Sequence, residues 1–341
     1  MPIKSTLLFV LVSVVAASAV AATPTVEMVI LAEPSQSTIT TGRKWADALR
    51  GVGITDVQIR GAGPADKPGI QSLGTPQAPS YRVVGELSGT RLIIPGHQFS
   101  LADRGDVAKW LKELGENGVA GVTEKKGAFG LLGKQLAEVR DDLAQPINFS
   151  TKGMTAPQVV EKIRQQLKLK LDVDAAADKA LADDDPVRDE LTGLSCGTVL
   201  AAIARPAGDI LQPQKPEGGE LQHTIVKAAA GVESWPIGWP PEQSEAKVLP
   251  QLLDSLNVEI RDTPAATAVA ALQAKFKVPF LFDHNSMAKQ RIDLAKKNVT
   301  LPPKKMLYAS VLRQVLFQAG LKYSVRVDEA NSPLIWITTL K

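Results

Sequence analysis

Residues 256–283, LNVEIRDTPAATAVAALQAKFKVPFLFD, decide how the second half of this chain is read. Val258 and Ile260 alternate as on a strand, Val269, Leu272 and Phe276 recur at helical spacing, and Val278, Phe280 and Phe282 alternate again. That pattern predicts strand, helix, strand. Residues 147–174, INFSTKGMTAPQVVEKIRQQLKLKLDVD, lie on this stretch without a gap. Phe149 and Thr151 meet Val258 and Ile260; Val160, Ile163 and Leu167 meet the three helical positions; Leu169, Leu171 and Val173 meet the last three. Self-similarity over this length marks an internal repeat.

The overlay resumes with a three-residue shift, TVLAAIARPAG (198–208) lying on SVLRQVLFQAG (310–320). Both read as apolar-faced helices closed by a glycine, Gly208 or Gly320, suited to a left-handed cap. Each is followed by a hairpin pattern: DILQPQ, KPEGGE, LQHTIV in the earlier copy and LKYSVRV, DEANSP, LIWITTL in the later. Pro213 fits only an edge strand. Thr155 with Gln158 forms a capping-box pattern, and Thr263 precedes Pro264 where a helix should begin.

The fold class expected is therefore α+β, with three small sandwich-like modules, the second and third an internal duplication of the order strand, helix, strand, strand, helix, hairpin. The expected division is a signal peptide at 1–21, a first module at 22–122, a connecting helix at 123–146, modules at 147–228 and 253–341, and a Trp/Pro-rich linker at 229–252. In the first module VEMVILAE, DVQIRGA, YRVVGEL and RLIIPGHQFSL read as strands, and GRKWADALRGVG and RGDVAKWLKELGENGV as helices.

The final module, with its LAKKNVTL strand (294–301) and Leu312, Leu316, Gly320, Leu321 and Tyr323, resembles the short N-terminal domain of secretins and TonB-dependent receptors. The preceding module resembles it more faintly. The resemblance implies an interaction module of the cell envelope, self-associating as such modules do in rings. FSLADRGDVAKWLKELGENG in the first module faintly resembles the sporulation-related repeat that binds peptidoglycan, although the V-x-x-G-x-F strand of that family is missing. It implies a cell-wall glycan as an alternative ligand.

Lys4 precedes the apolar run LLFVLVSVVAASAV, with Ala19 and Ala21 at the spacing signal peptidase accepts, so export to the periplasm or cell surface is expected. No later apolar run approaches the ~20 residues of a membrane span. The single cysteine, Cys196, cannot form an internal disulfide, and the formal net charge of +3 gives no electrostatic case for nucleic acid.

Recognisable chemistry is scarce. His97, His223 and His284 show no metal-ligand spacing, the DHN at 283–285 lacks a partner nucleophile, and no P-loop or G-x-S-x-G occurs. Neither a cofactor nor catalysis is expected, with an exported enzyme of unrecognised type as the second alternative. The acidic stretch 171–190 lacks an EF-hand pattern and reads as a solvated insert. That leaves GVESWPIGWPPEQS (231–244). Its Trp235, Trp239, Pro240 and Pro241 suit either a bracket packed between modules or an aromatic binding platform. Trp336, in the final strand, is a further candidate if that strand is an edge open to strand addition.

Overall fold

The computed structural model describes residues 24–33, 36–64, 66–75, 78–182 and 185–340; the signal-like segment 1–21 lies outside them. The fold is α+β, and the chain divides between Lys125 and Lys126 into two units.

The first unit runs β1 (Thr25–Leu31), α1 (Gln36–Gly51), β2 (Asp56–Arg60), β3 (Gly69–Ser72), β4 (Ser80–Ser88), β5 (Arg91–Ile94), β6 (His97–Phe99) and α2 (Arg104–Thr123). Its sheet has the order β2-β1-β4-β5-β6, with β3 also on β4. β1 is parallel to both neighbours, so it is covered on both sides, and its run MVIL is continuously buried rather than alternating. Trp45, Ala48 and Leu49 of α1 enter the core with Trp110 and Leu114 of α2. The indole of Trp45 donates to the Thr90 carbonyl at 3.1 Å.

The second unit holds α3 (Gly133–Leu143), α4 (Ala156–Arg164), β7 (Lys170–Val173), α5 (Ala175–Leu181), α6 (Cys196–Ala204), β8 (Asp209–Gln214) and β9 (Gln222–Lys227). It continues with α7 (Glu245–Val248), β10 (Ser255–Pro264), α8 (Ala265–Phe276), β11 (Phe280–Phe282), α9 (His284–Lys289), β12 (Asn298–Leu307), α10 (Tyr308–Gln318), β13 (Leu321–Val327) and β14 (Pro333–Thr339). The segment expected as a connecting helix supplies α3, whose Val139 and Leu143 join the core of the module that follows.

The two modules of this unit share one plan. Sheet β7-β9-β8 and sheet β11-β14-β13 have the same order. In each the last strand is central, parallel to the first and antiparallel to its hairpin partner. Pro213 sits on β8, an edge, as its missing N–H requires. Gly208 and Gly320 have φ of 75° and 85°. Each module also has an internal two-fold pattern that the overlay misses. Segments 146–155 and 186–195 run antiparallel through the bridges Pro146↔Ser195 and Thr155↔Pro186. Each has a left-handed glycine, Gly153 or Gly193, and each leads directly into a helix, α4 or α6. β10 and β12 pair in the same manner and lead into α8 and α10.

Three expectations are corrected. Residues 147–151 form no ladder strand: Thr151 is buried, and its hydroxyl donates to the Asp189 carbonyl at 2.9 Å and accepts from Leu191 N at 3.0 Å. A side chain thus replaces a strand rung. The acidic insert is not wholly solvated, because Asp174 caps α5 and Ala177 and Leu181 are buried. Finally, β14 is no edge. It lies between β11 and β13, with Ile335 and Ile337 in the core of its own module and Leu334 and Trp336 in the core of the preceding one. That double burial explains the unbroken LIWI.

Candidate functional site

β14 and the Trp/Pro strip meet at the seam between the two modules, and the unit's polar side chains converge there. α6 begins in the sequence GLSCGTV, and its first N–H groups need acceptors. They find them 131 and 133 residues away, in the turn between β13 and β14. Asp328 Oδ2 accepts from Ser195 N at 2.9 Å, and Glu329 Oε2 accepts from Thr198 N at 3.1 Å and Thr198 Oγ1 at 3.0 Å. Two carboxylates at a helix N-terminus also suit the helix dipole. Ala330 N returns a bond to Ser195 Oγ at 3.2 Å. Asp328 Oδ1 meanwhile holds the turn closed through Ala330 N and Ser332 N, at 3.0 and 2.7 Å.

Trp235 completes this clasp. Its indole donates to Glu329 Oε1 at 2.6 Å, and its backbone N–H donates to Leu211 of β8 at 2.7 Å. Trp239 exchanges backbone bonds of 2.6 and 3.0 Å with Val327 of β13. The strip therefore covers the edge of one sheet with Trp235 and the edge of the other with Trp239. The rings stand edge to face at 5.1 Å, Phe129 stacks on Trp235 at 5.6 Å, and the Arg140 guanidinium lies 5.4 Å from the Trp239 ring. Trp235 is 3% exposed and Trp336 6%; Trp239 and Pro241 are half-buried and Pro240 is exposed. This is the geometry of a bracket between modules. Gly238, at φ 63°, lets the strip turn against Arg326 and Leu334.

Glycine is also required in α6. A Cβ on Gly197 would come within 2.7 Å of Glu329 Oε1 and 2.8 Å of Trp235 Nε1. Gly197→Ala should cost about 2 kcal/mol, an overpacking penalty that exceeds alanine's helical advantage, read as a lower urea midpoint with α6 displaced from the clasp.

Burial pushes the Glu329 carboxyl up, against the hydrogen bonds from Trp235 and Thr198. Cys196, fully buried beside it, has its thiol pushed up to about 12 by burial and then by the charges of Asp142 and Glu329. A nucleophilic thiolate needs the opposite environment.

The largest cleft of the seam, about 300 Å³, opens between α9 and the first module of the unit. Aliphatic side chains such as Leu181, Val187, Leu191 and Ile203 form much of its wall, with Asp185, Arg188, Asp189, His284 and Asn285 as its polar lining. The DHN residues are all engaged. His284 Nε2 meets Asp189 Oδ2 at 2.9 Å, Asn285 donates to the Arg205 carbonyl at 3.3 Å, and Asp283 takes a two-point contact from Arg205 at 3.1 and 2.7 Å. None of the lining residues carries a hydroxyl, thiol or amine nucleophile. His223, in β9, meets Asp142 of α3 at 2.8 Å out of contact with solvent. Among the described residues no group of His, Cys, Asp and Glu could hold a metal ion, and no helix is long and apolar enough to cross a membrane.

No protein-family model matches this chain, and the comparisons with characterised proteins and with solved structures find no similar one.

The sequence picked out Trp235, Trp239 and Trp336 but missed Asp328, Glu329, Ser195 and Thr198. The available signal was the pair of acids in a five-residue hairpin turn combined with the small-residue helix start SCGT.

Proposed function

We propose that the chain is a non-catalytic, exported protein of the cell envelope whose second unit presents two joined α+β modules to a protein partner or to further copies of itself. The observation that carries this reading is the fate of the polar groups at the seam. Asp189, Arg205, Asp283, His284, Asp328 and Glu329 are all paired within the molecule. The 300 Å³ cleft beside them is walled largely by aliphatic side chains, and of its charged lining Asp185 pairs with Arg188 and Asp189 with His284. A reaction centre would need a nucleophile or general acid aimed at open space.

The shared sheet order supports descent of the two modules from one duplicated unit of the short secretin N-terminal type. The signal-like start supports export. A glycan platform at the Trp pair is disfavoured by the burial of Trp235, since sugar stacking needs an open ring face.

Apolar side chains left in water bear on assembly. Phe317 of α10 is 66% exposed, and Leu253 and Leu307 are 58% and 40% exposed at one end of the β10–β12 ribbon. Light scattering on the mature chain should show a defined oligomer, or a stable complex with an envelope protein, that Phe317→Glu weakens at least tenfold. A strict monomer that captures no envelope partner would overturn the reading.

A further inference from the structure

A second cleft of the seam, about 150 Å³, is lined by Arg205, Arg326, Trp336, Ser234 and Asp209 among others. Two guanidinium groups flank the Trp336 ring, with Arg326 Cζ 5.4 Å and Arg205 Cζ 5.9 Å from its centroid. Their charges are handled differently. Arg205 spends Nε and Nη2 on Asp283. Arg326 gives Nη1 to the Ile237 carbonyl at 2.8 Å, and no carboxylate among the described residues pairs with it. Asp209 lines the same cleft with Lys227 Nζ 3.3 Å from its Oδ1; both its oxygens are sealed from solvent without a well-formed hydrogen bond, and burial pushes its carboxyl up against the pull of Lys227. Of the two guanidinium groups Asp283 hydrogen-bonds only that of Arg205, but its charge also reaches Arg326, so Arg326 stands beside a second cation with no carboxylate in direct contact. Burial and then the neighbouring Arg205 charge lower the Arg326 pKa and outweigh the opposing pull of Asp283, so the cleft holds that charge at a cost.

The donors not spent on protein acceptors are Nε and Nη2 of Arg326 and Nη1 of Arg205. A guanidinium presents such donors as a planar fork that matches the oxygens of a carboxylate or phosphate. We propose that this cleft binds a free small oxyanion, of carboxylate or phosphate size, between Arg326 and Arg205 against the Trp336 ring. The cleft's size excludes a larger molecule unless only its anionic end enters. The site goes beyond the assembly reading and stands whether or not the protein oligomerises. It would couple the seam, where Arg205 and Trp336 already join the two modules, to the anion content of the surroundings.

The test titrates the full chain with inorganic phosphate and, separately, with acetate, at ionic strength fixed with chloride, following the melting temperature and tryptophan fluorescence. The expected result is a saturable rise in melting temperature and a saturable fluorescence change with at least one of the two anions, weakened tenfold or more in Arg326→Met. Arg326→Lys keeps the charge without the fork and should weaken binding at least fivefold, which serves if the methionine variant does not fold. Phosphate alone or acetate alone would identify the class of oxyanion. No saturable response beyond chloride in the wild type, or an undiminished response in the folded variants, would overturn the proposal.

Discussion

Glu329→Ala should lower the stability of the second unit by about 3 kcal/mol, the summed penalty of stranding buried donors. The carboxylate accepts from Trp235 Nε1, Thr198 N and Thr198 Oγ1. Part of the loss is offset because burying a carboxylate is itself unfavourable, which keeps the figure below three full penalties. Urea unfolding followed by tryptophan fluorescence measures it. Glu329→Gln separates the two contributions. It keeps the shape but brings an amide N–H2 toward donors, so it should cost about half as much at neutral pH. The pH dependence has a definite sign. The folded-state carboxyl is raised, so its contribution is fully present below the unfolded value, about 4.3, and declines as pH rises through the higher folded value. The advantage of wild type over Glu329→Gln should therefore grow as pH falls from neutral toward that range. A gap that stays flat or shrinks on acidification would refute a buried, raised Glu329.

Asp283→Ala should cost about 2.5 kcal/mol more at neutral pH than near pH 2. Burial is the largest single influence and pushes this carboxyl up, but hydrogen bonds from Arg205 and Ser286 outweigh it and bring the group down to about 2. Against an ordinary aspartate near 3.9, that displacement corresponds to about 2.5 kcal/mol. Here the sign is opposite to that of Glu329. A depressed carboxyl contributes stability above its unfolded value and loses it as pH falls through the folded one. Asp283 also caps α9 by accepting from Ser286 N at 3.1 Å, so the variant should fray that helix. Thermal melts of wild type and variant between pH 7 and pH 2 should draw together toward the acid end, leaving the smaller gap that the lost cap accounts for. Parallel curves would show that Arg205 does not stabilise the charged form.

Periodicity made most of the second unit legible, because its helices and hairpin strands bury one face each and their apolar residues recur accordingly. It failed where side chains replace backbone rungs. Thr151 reads as one more strand position, and nothing local shows that its hydroxyl bridges to Asp189 and Leu191. In β12 the strand continues past Pro302 and Pro303 to Leu307, residues that normally end a strand, because the register shifts between Ile260↔Leu301 and Val258↔Lys304 and leaves both prolines in the irregularity, where no rung needs their N–H. The seam was the least legible part. Asp328 and Glu329 stand in DEANSP, a composition that signals a solvated turn, and their acceptor role depends on a helix start far away in the chain. The tryptophans were conspicuous for their type, yet their burial followed from neighbours that a single stretch cannot reveal. The edge considered for LIWITTL is not realised, because its place in the sequence says nothing about its place in the sheet, where it is central.

The separation of 133 residues between Ser195 and Asp328 imposes an order of events on a chain made from its N-terminus. Until the β13–β14 turn has been synthesised, α6 has no acceptor for its leading amides. The face of the first module that Leu334 and Trp336 will cover stays wet until then. The earlier module, whose core includes Leu281, Leu334 and Trp336, therefore completes its packing only once the later one is in place, at the pace of that distant contact.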